Sequence, residues 1–377
     1  MKSLFSVVLR VFTSIALVIC LLSAEENPNA EELLWMGIDA MYNYKFQSSI
    51  TLLDSAYSIN PSHPVIPFVT IAAKWQDVQT TVSYDSSYAV LNQEIEKTIP
   101  LYKKLISQYP DSADFVLYLG SSYGLKARVA LAKKEWLKVI SSGYSGYRLV
   151  NKAQKMNPDL KDTFMPLGLM EYFASRSSLP VQLAADLVGI HSNKEDGLNK
   201  LKIAALESKY SWIESSNALT YAYLHLEKDF EEALKWVRPL VEHFPENPFF
   251  LFLKAEALAK LDRWDDVKIL YPKLHTFIED GPFLQQNESQ LKMNYIESLY
   301  EFNQRNYDAT IKKTSWMIEN YYMEFDWLLG FAHLLRGNSY KELGMLNKAY
   351  WDYEIVTKLD NNYPEVEEAK DLIKKLK

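Results

Sequence analysis

At 377 residues, with 48% hydrophobic and 24% charged residues, the chain can build a large packed interior, and its composition excludes general disorder. A formal charge of −7 speaks against a nucleic-acid binder, which needs a basic face. Only 12 glycines stand against 25 tyrosines, 17 phenylalanines and 9 tryptophans, a balance that favours long helices with bulky interlocking faces over a turn-rich β protein.

Lys2 and Arg10 give a basic start, Val11 to Leu22 is almost entirely apolar, and Ser23-Ala24 supplies small residues for cleavage. This layout predicts a secretory signal peptide over 1–24 and a mature domain over 25–377, in the periplasm or secreted. The apolar run is shorter than the ~20 residues of a membrane span. Left uncleaved it would anchor the chain, and only then is membrane association expected. Cys20 is the only cysteine, so cleavage would leave no disulfide and no thiolate metal site.

The remainder is a succession of helical pairs. Trp35-Met36-Gly37 opens the first, with Phe46, Ser49, Leu53 and Ala56 on its second helix and a stop at Asn60-Pro61. Tyr109-Pro110 and Asn157-Pro158 mark further stops, because proline cannot donate the next helical hydrogen bond. Leu119-Gly120 with Tyr123 opens one later pair and Leu167-Gly168 another, whose second helix carries Gly197, Leu201 and Ala204. The clearest second helix runs from Phe230 through Ala233 and Trp236 to Phe244-Pro245; Leu251, Ala255, Trp264 and Val267 repeat the pattern. Tyr300 with Tyr307-Asp308-Ala309 is a degenerate pair, and Gly337, Tyr340, Leu343-Gly344, Ala349 and Tyr353 form the last.

Two helices in about 34 residues, with small residues where they touch, resemble the tetratricopeptide repeat. The resemblance implies an all-α solenoid of about seven or eight degenerate hairpins wound into a right-handed superhelix. No single hairpin buries enough apolar surface to fold alone, so stacked neighbours share one core.

A helical insertion near 175–196 breaks the period within the unit opened by Leu167-Gly168, and is longer than a usual helix–helix connection. With Ser177, Leu179, Pro180, Gly189, Glu195, Gly197 and Leu198 in place, it resembles an exported bacterial tetratricopeptide family. More distantly it resembles the eukaryotic tetratricopeptide repeat protein 39 and inclusion-body clearance proteins. That resemblance spans residues 112–360 and implies a scaffold-like role without catalytic residues.

Gly120-Ser121-Ser122-Tyr123-Gly124 matches the serine-hydrolase nucleophile elbow by letters, but the elbow needs a preceding strand, and Val116, Leu119 and Tyr123 fall at helical spacing. The six histidines show no metal-ligand spacing, Asp262–Asp266 lacks the glycine and terminal glutamate of a calcium loop, and no phosphate loop occurs. No cofactor, metal or catalytic residue is therefore expected. Trp35, Trp136, Trp236, Trp264, Trp316 and Tyr353 are expected at helix–helix packing positions.

In this fold the first helix of each pair lines the concave surface. That register places Met165, Leu169, Tyr172, Phe173, Ala222, His225, Phe249, Phe252, Phe302, Phe331, Leu334 and Asn338 in the groove. An apolar, aromatic lining on an acidic protein predicts a site for an extended peptide or a partner helix, with Asn338 gripping its backbone. The competing expectation is that the insertion fills the groove. A small-molecule or lipid carrier, with 181–188 as its lid, is the alternative function.

Overall fold

The computed structural model describes residues 28–376 apart from 188, 360 and 362. The predicted signal peptide and Cys20 lie outside the described residues. Among those described, eight antiparallel helical pairs follow one another. They are α1 (Ala30–Tyr42) with α2 (Phe46–Ile59), α3 (Ile66–Gln79) with α4 (Tyr84–Gln108), and α5 (Ala113–Ala132) with α6 (Trp136–Met156). Next, α7 (Phe164–Ser175) pairs with α9 (Lys194–Glu207) across the inserted α8 (Leu179–Leu187), and α10 (Trp212–Tyr221) with α11 (Phe230–His243). The array ends with α12 (Pro248–Lys260) and α13 (Trp264–Glu279), α14 (Phe283–Asn303) and α15 (Tyr307–Glu319), and α16 (Trp327–Glu342) and α17 (Leu346–Lys358). A final helix, α18 (Pro364–Leu376), covers the last pair. No strand occurs among the described residues. The protein is an all-α array of tetratricopeptide-type hairpins.

Two joints recur and explain the period. Within pairs, the first helix ends on a residue of positive φ: Tyr44, Lys134, Lys228, Asp262, Arg305 and Gly344. The next amide closes a six-residue ring, as in Lys45 N to Ala40 O at 2.8 Å, Arg263 N to Leu258 O at 2.9 Å and Asn306 N to Glu301 O at 2.8 Å. This is the Schellman cap, which satisfies carbonyls the helix leaves unpaired. A large apolar residue then starts the second helix: Phe46, Trp136, Phe230, Trp264, Tyr307 or Leu346. Between pairs, the predicted X-Pro stops each close a turn, with Asn60, Tyr109, Asn157 and Phe244 accepting from the amide three residues on.

Small residues set the closest approaches. A Cβ on Gly120 would stand 3.0 Å from Gly146 O, and one on Gly168 2.8 Å from Gly197 O. Gly124, by contrast, has open space around it and is not needed for close packing. The α7–α9 contact confirms α9 as the second helix of its unit, with α8 an excursion between the two. The α3–α4 pair was not foreseen: it has no Leu-Gly start, and Pro100 lies inside α4, where proline would ordinarily end a helix.

The array curls back on itself. Trp35 of α1 stacks on Tyr210 with ring centres 5.2 Å apart, and Asn247 donates to Tyr42 O at 2.8 Å, so the first pair rests on the fifth and sixth. Glu324, between α15 and α16, accepts from Arg128 at 2.8 Å and from Tyr88 at 2.7 Å. These contacts join the second and third pairs to the end of the array.

Candidate partner-binding surface

Curling consumes the predicted groove. Tyr172, Ala222, His225, Phe252, Phe331 and Leu334 are buried, so they belong to the core and do not line an open surface. The physical reason differs by residue: His225 of pair five meets pair eight, Tyr172 packs on Gly197 of its own unit, and Leu334 packs among α17 and α18. His225 lies between Trp327 and Phe331, with ring centres 4.7 Å and 5.7 Å away. Met165, Leu169, Phe249 and Phe302 are half-buried; Phe302 packs on Tyr307 at 5.5 Å. Asn338 is also half-buried and accepts from Tyr353 Oη at 2.8 Å, which engages its side-chain oxygen within its own pair. Phe173 alone among the predicted lining residues is exposed.

His225, Phe249 and Phe252 do come together, around a pair that the repeat pattern did not reveal. A π turn over Ala222–Leu226 adds one residue to the end of α10, so Asp229 N reaches back to Tyr223 O where the other caps span one residue fewer. The extra residue aims His225 at Glu256 of α12, whose Oε2 accepts from Nε2 at 3.2 Å. Burial pushes the Glu256 carboxyl up, but His225, Lys260 and Lys292 together hold it below the ordinary glutamate range. His225 Nδ1 and Glu256 Oε1 have no hydrogen-bond partner among the described residues. The cavity beside them is about 10 Å³, enough for one water and no larger ligand. Glu256 was legible in principle, being the one acidic residue of a largely apolar α12.

The insertion does not cover the concave side. Gln182 donates to the carbonyls of Ser175 and Ser177 at 2.9 and 2.7 Å, and Tyr147 of α6 donates to Gly189 O at 2.8 Å. The segment is therefore tied to α6 and to the end of α7. Ala185 packs against the core, whereas Leu179 and Leu183, one turn apart, are exposed. Phe173, on the last turn of α7 just before the insertion, is exposed as well. Behind it, Glu227 accepts from Tyr172 at 2.8 Å, Lys194 at 2.9 Å and Arg176 at 3.1 Å, clamping both ends of the insertion to the tip of α10.

Ser122 is buried within α5, and its hydroxyl donates to Tyr118 O at 2.7 Å, the usual helical back-bond and not a strained turn. Among the described residues no group of three or more acidic, histidine or cysteine side chains is arranged to hold a metal. The packing expectation for the tryptophans holds for Trp236 and Tyr353, which are buried, but fails for Trp136 and Trp316, which are exposed. Each of those two begins or lies on a second helix whose outer side no neighbour covers.

No family model matches the chain, and no curated protein matches it. Solved structures align along its length: the tetratricopeptide domain of P58(IPK) at 14% identity, covering 92% of this chain and 98% of that one, with a TM-score of 0.27. A tetratricopeptide repeat protein from Parabacteroides merdae aligns at 12% identity over 92% and 98% of the two chains, with a TM-score of 0.26. Yeast Tom70 aligns at 12% identity over 92% and 95%, with a TM-score of 0.29. Superpositions this loose carry no argument, and the fold assignment stands on the chain's own hairpins and caps.

Proposed function

We propose that the chain is an exported, non-enzymatic scaffold that holds a protein partner or an extended peptide on the apolar strip of Phe173, Leu179 and Leu183. The observation that carries this reading is the orientation of α8, a nine-residue helix fastened by polar bonds with Leu179 and Leu183 turned outward. So short a helix does not persist unsupported in water. Leucines turned away from its support expose apolar area of the kind that usually has a use. The strip replaces the concave groove as the binding surface. The carrier alternative loses its support at the predicted place, since the chamber at His225 is only about 10 Å³ and the 181–188 segment is tied to α6 and the end of α7.

Site-specific photocrosslinking in the native host tests the proposal. A photoreactive residue at position 183 should give one discrete protein adduct that Phe173→Ser removes. The same residue at Ser55, an exposed position of α2, should give none. Absence of any adduct from 183, or the same adducts from both positions, would refute it.

A further inference from the structure

The tip of the third hairpin stands apart from every other in one respect. Six of the eight within-pair turns share the positive-φ cap followed by a large apolar residue, and elsewhere in the interior of the array that residue is sheltered. Phe46 packs on Tyr44 at 5.0 Å, Trp264 on Tyr300 at 5.1 Å and Tyr307 on Phe302 at 5.5 Å. Trp136 holds the same place with no aromatic partner among the described residues, and it is 57% exposed. Leu137 and Ile140 beside it are 84% and 68% exposed.

α6 has 21 residues and α7, which runs beside it, only 12, with Met170 lying over Gly143. With this antiparallel register the end of α7 lies opposite about residue 138, so at about 1.5 Å per residue the start of α6 reaches on the order of 3 Å past it.

The charges around this apolar tip are mainly of one sign. Lys133, Lys134 and Lys138 surround it, and Glu135 is the single acid of the turn, spent on Lys138 at 3.0 Å. Lys133 and Lys134 form no ion pair among the described residues. A basic tip on a chain of charge −7 is a marked local reversal. Tryptophan and branched aliphatic residues inside a lysine collar have the composition of a helix that lies in a bilayer interface: the rings and methyls enter, and the ammonium groups meet phosphate. No described helix is long and apolar enough to cross a membrane, so the contact is with the surface only.

We propose that the α5–α6 tip docks on an anionic lipid surface, with Trp136, Leu137 and Ile140 entering the interface and Lys133 and Lys134 taking headgroup phosphates. Repulsion between the acidic body and the same surface then leaves the tip as the side that can approach, which fixes orientation as well as attachment.

The test uses the full chain carrying Cys20→Ser and Leu137→Cys, labelled at position 137 with an environment-sensitive nitrobenzoxadiazole dye. Vesicles made of an equal mixture of phosphatidylglycerol and phosphatidylcholine should brighten its emission and shift it to the blue. Vesicles of phosphatidylcholine alone should not. A label placed by Ser55→Cys should not respond to either. Lys133→Glu with Lys134→Glu should weaken the response at position 137 by more than about tenfold, since two charges that favoured the surface now oppose it. Circular dichroism of that variant checks that the helices remain. Because residues 1–24 are common to all versions, a chain that floats with vesicles while the label at 137 stays unchanged is held elsewhere, and the proposal fails. It fails equally if the emission shifts with protein concentration in the absence of vesicles, which would assign the tip to a second copy of the chain.

Discussion

Replacing Gly197 by alanine places a methyl group where α9 crosses α7 most closely. Its Cβ would lie 2.6 Å from Tyr172 N and 2.8 Å from both Tyr172 Cα and Cβ. Carbon contacts relax near 3.5 Å, so the two helices must part by the order of 1 Å. A flexible side chain could yield, but two of these three atoms are backbone. Tyr172 is fully buried and its hydroxyl is tied to the Glu227 clamp, so movement there also disturbs Arg176 and Lys194. Overpacking of this kind costs about 3 kcal/mol. Alanine returns about 1 kcal/mol in helix propensity, leaving a net loss of about 2 kcal/mol. Gly124→Ala isolates the second effect, because nothing lies within 4 Å of the methyl it would add; it should stabilise by up to about 1 kcal/mol. Urea unfolding followed by far-ultraviolet circular dichroism measures both. A Gly197→Ala chain as stable as Gly124→Ala would refute the assignment of α7 and α9 as one close-packed hairpin.

Three further outcomes follow from particular contacts. Arg305→Gly should stabilise by about 1 kcal/mol in the same assay, because a side chain at φ +59° carries a steric cost that glycine lacks. Glu324→Ala should cost about 2 kcal/mol, since it strips Arg128 and Tyr88 of their acceptor, and hydrogen exchange should rise in α4 and α5. Glu31 joins the first pair to Tyr210, His63 and Lys209; burial raises its carboxyl, but these partners bring it from 4.5 down to about 2. A depressed folded value contributes stability above the unfolded value and loses it as pH falls. The midpoint difference between the wild type and Glu31→Gln should therefore be full above about pH 4.5 and vanish towards pH 2.

Much of the fold was readable because its signals are local. The X-Pro stops at Pro61, Pro110 and Pro158, the Gly168–Gly197 approach and the terminal Leu343-Gly344 turn each depend on residues within one hairpin or its immediate neighbour. The α3–α4 pair was missed for the converse reason: packing overrides the local cost of Pro100. The candidate surface was read less well because burial of a first-helix residue depends on how far the array curls. Nothing near His225 in sequence announces that Trp327 and Phe331 will close over it. The π turn that aims His225 at Glu256 leaves no motif either, since one extra residue in a helix end is invisible to a repeat register.

The curl also decides where apolar surface remains. An open solenoid would present its aromatic first helices to a ligand; this one spends them on contacts between distant pairs, such as Trp35 with Tyr210 and His225 with Trp327. Exposed apolar side chains are then left where a helix has no neighbour. The inserted α8 turns Leu179 and Leu183 outward, and Trp136, Leu137 and Ile140 stand exposed at the start of α6. Both features sit in consecutive units, and the antiparallel register of Gly143 with Met170 puts them at the same end of the array. A partner held on α8 would consequently lie beside the basic tip. If the tip rests on a charged bilayer, the partner is held close to that surface, so the two proposed contacts would act together while remaining separable by the label at position 137 and the crosslink at position 183.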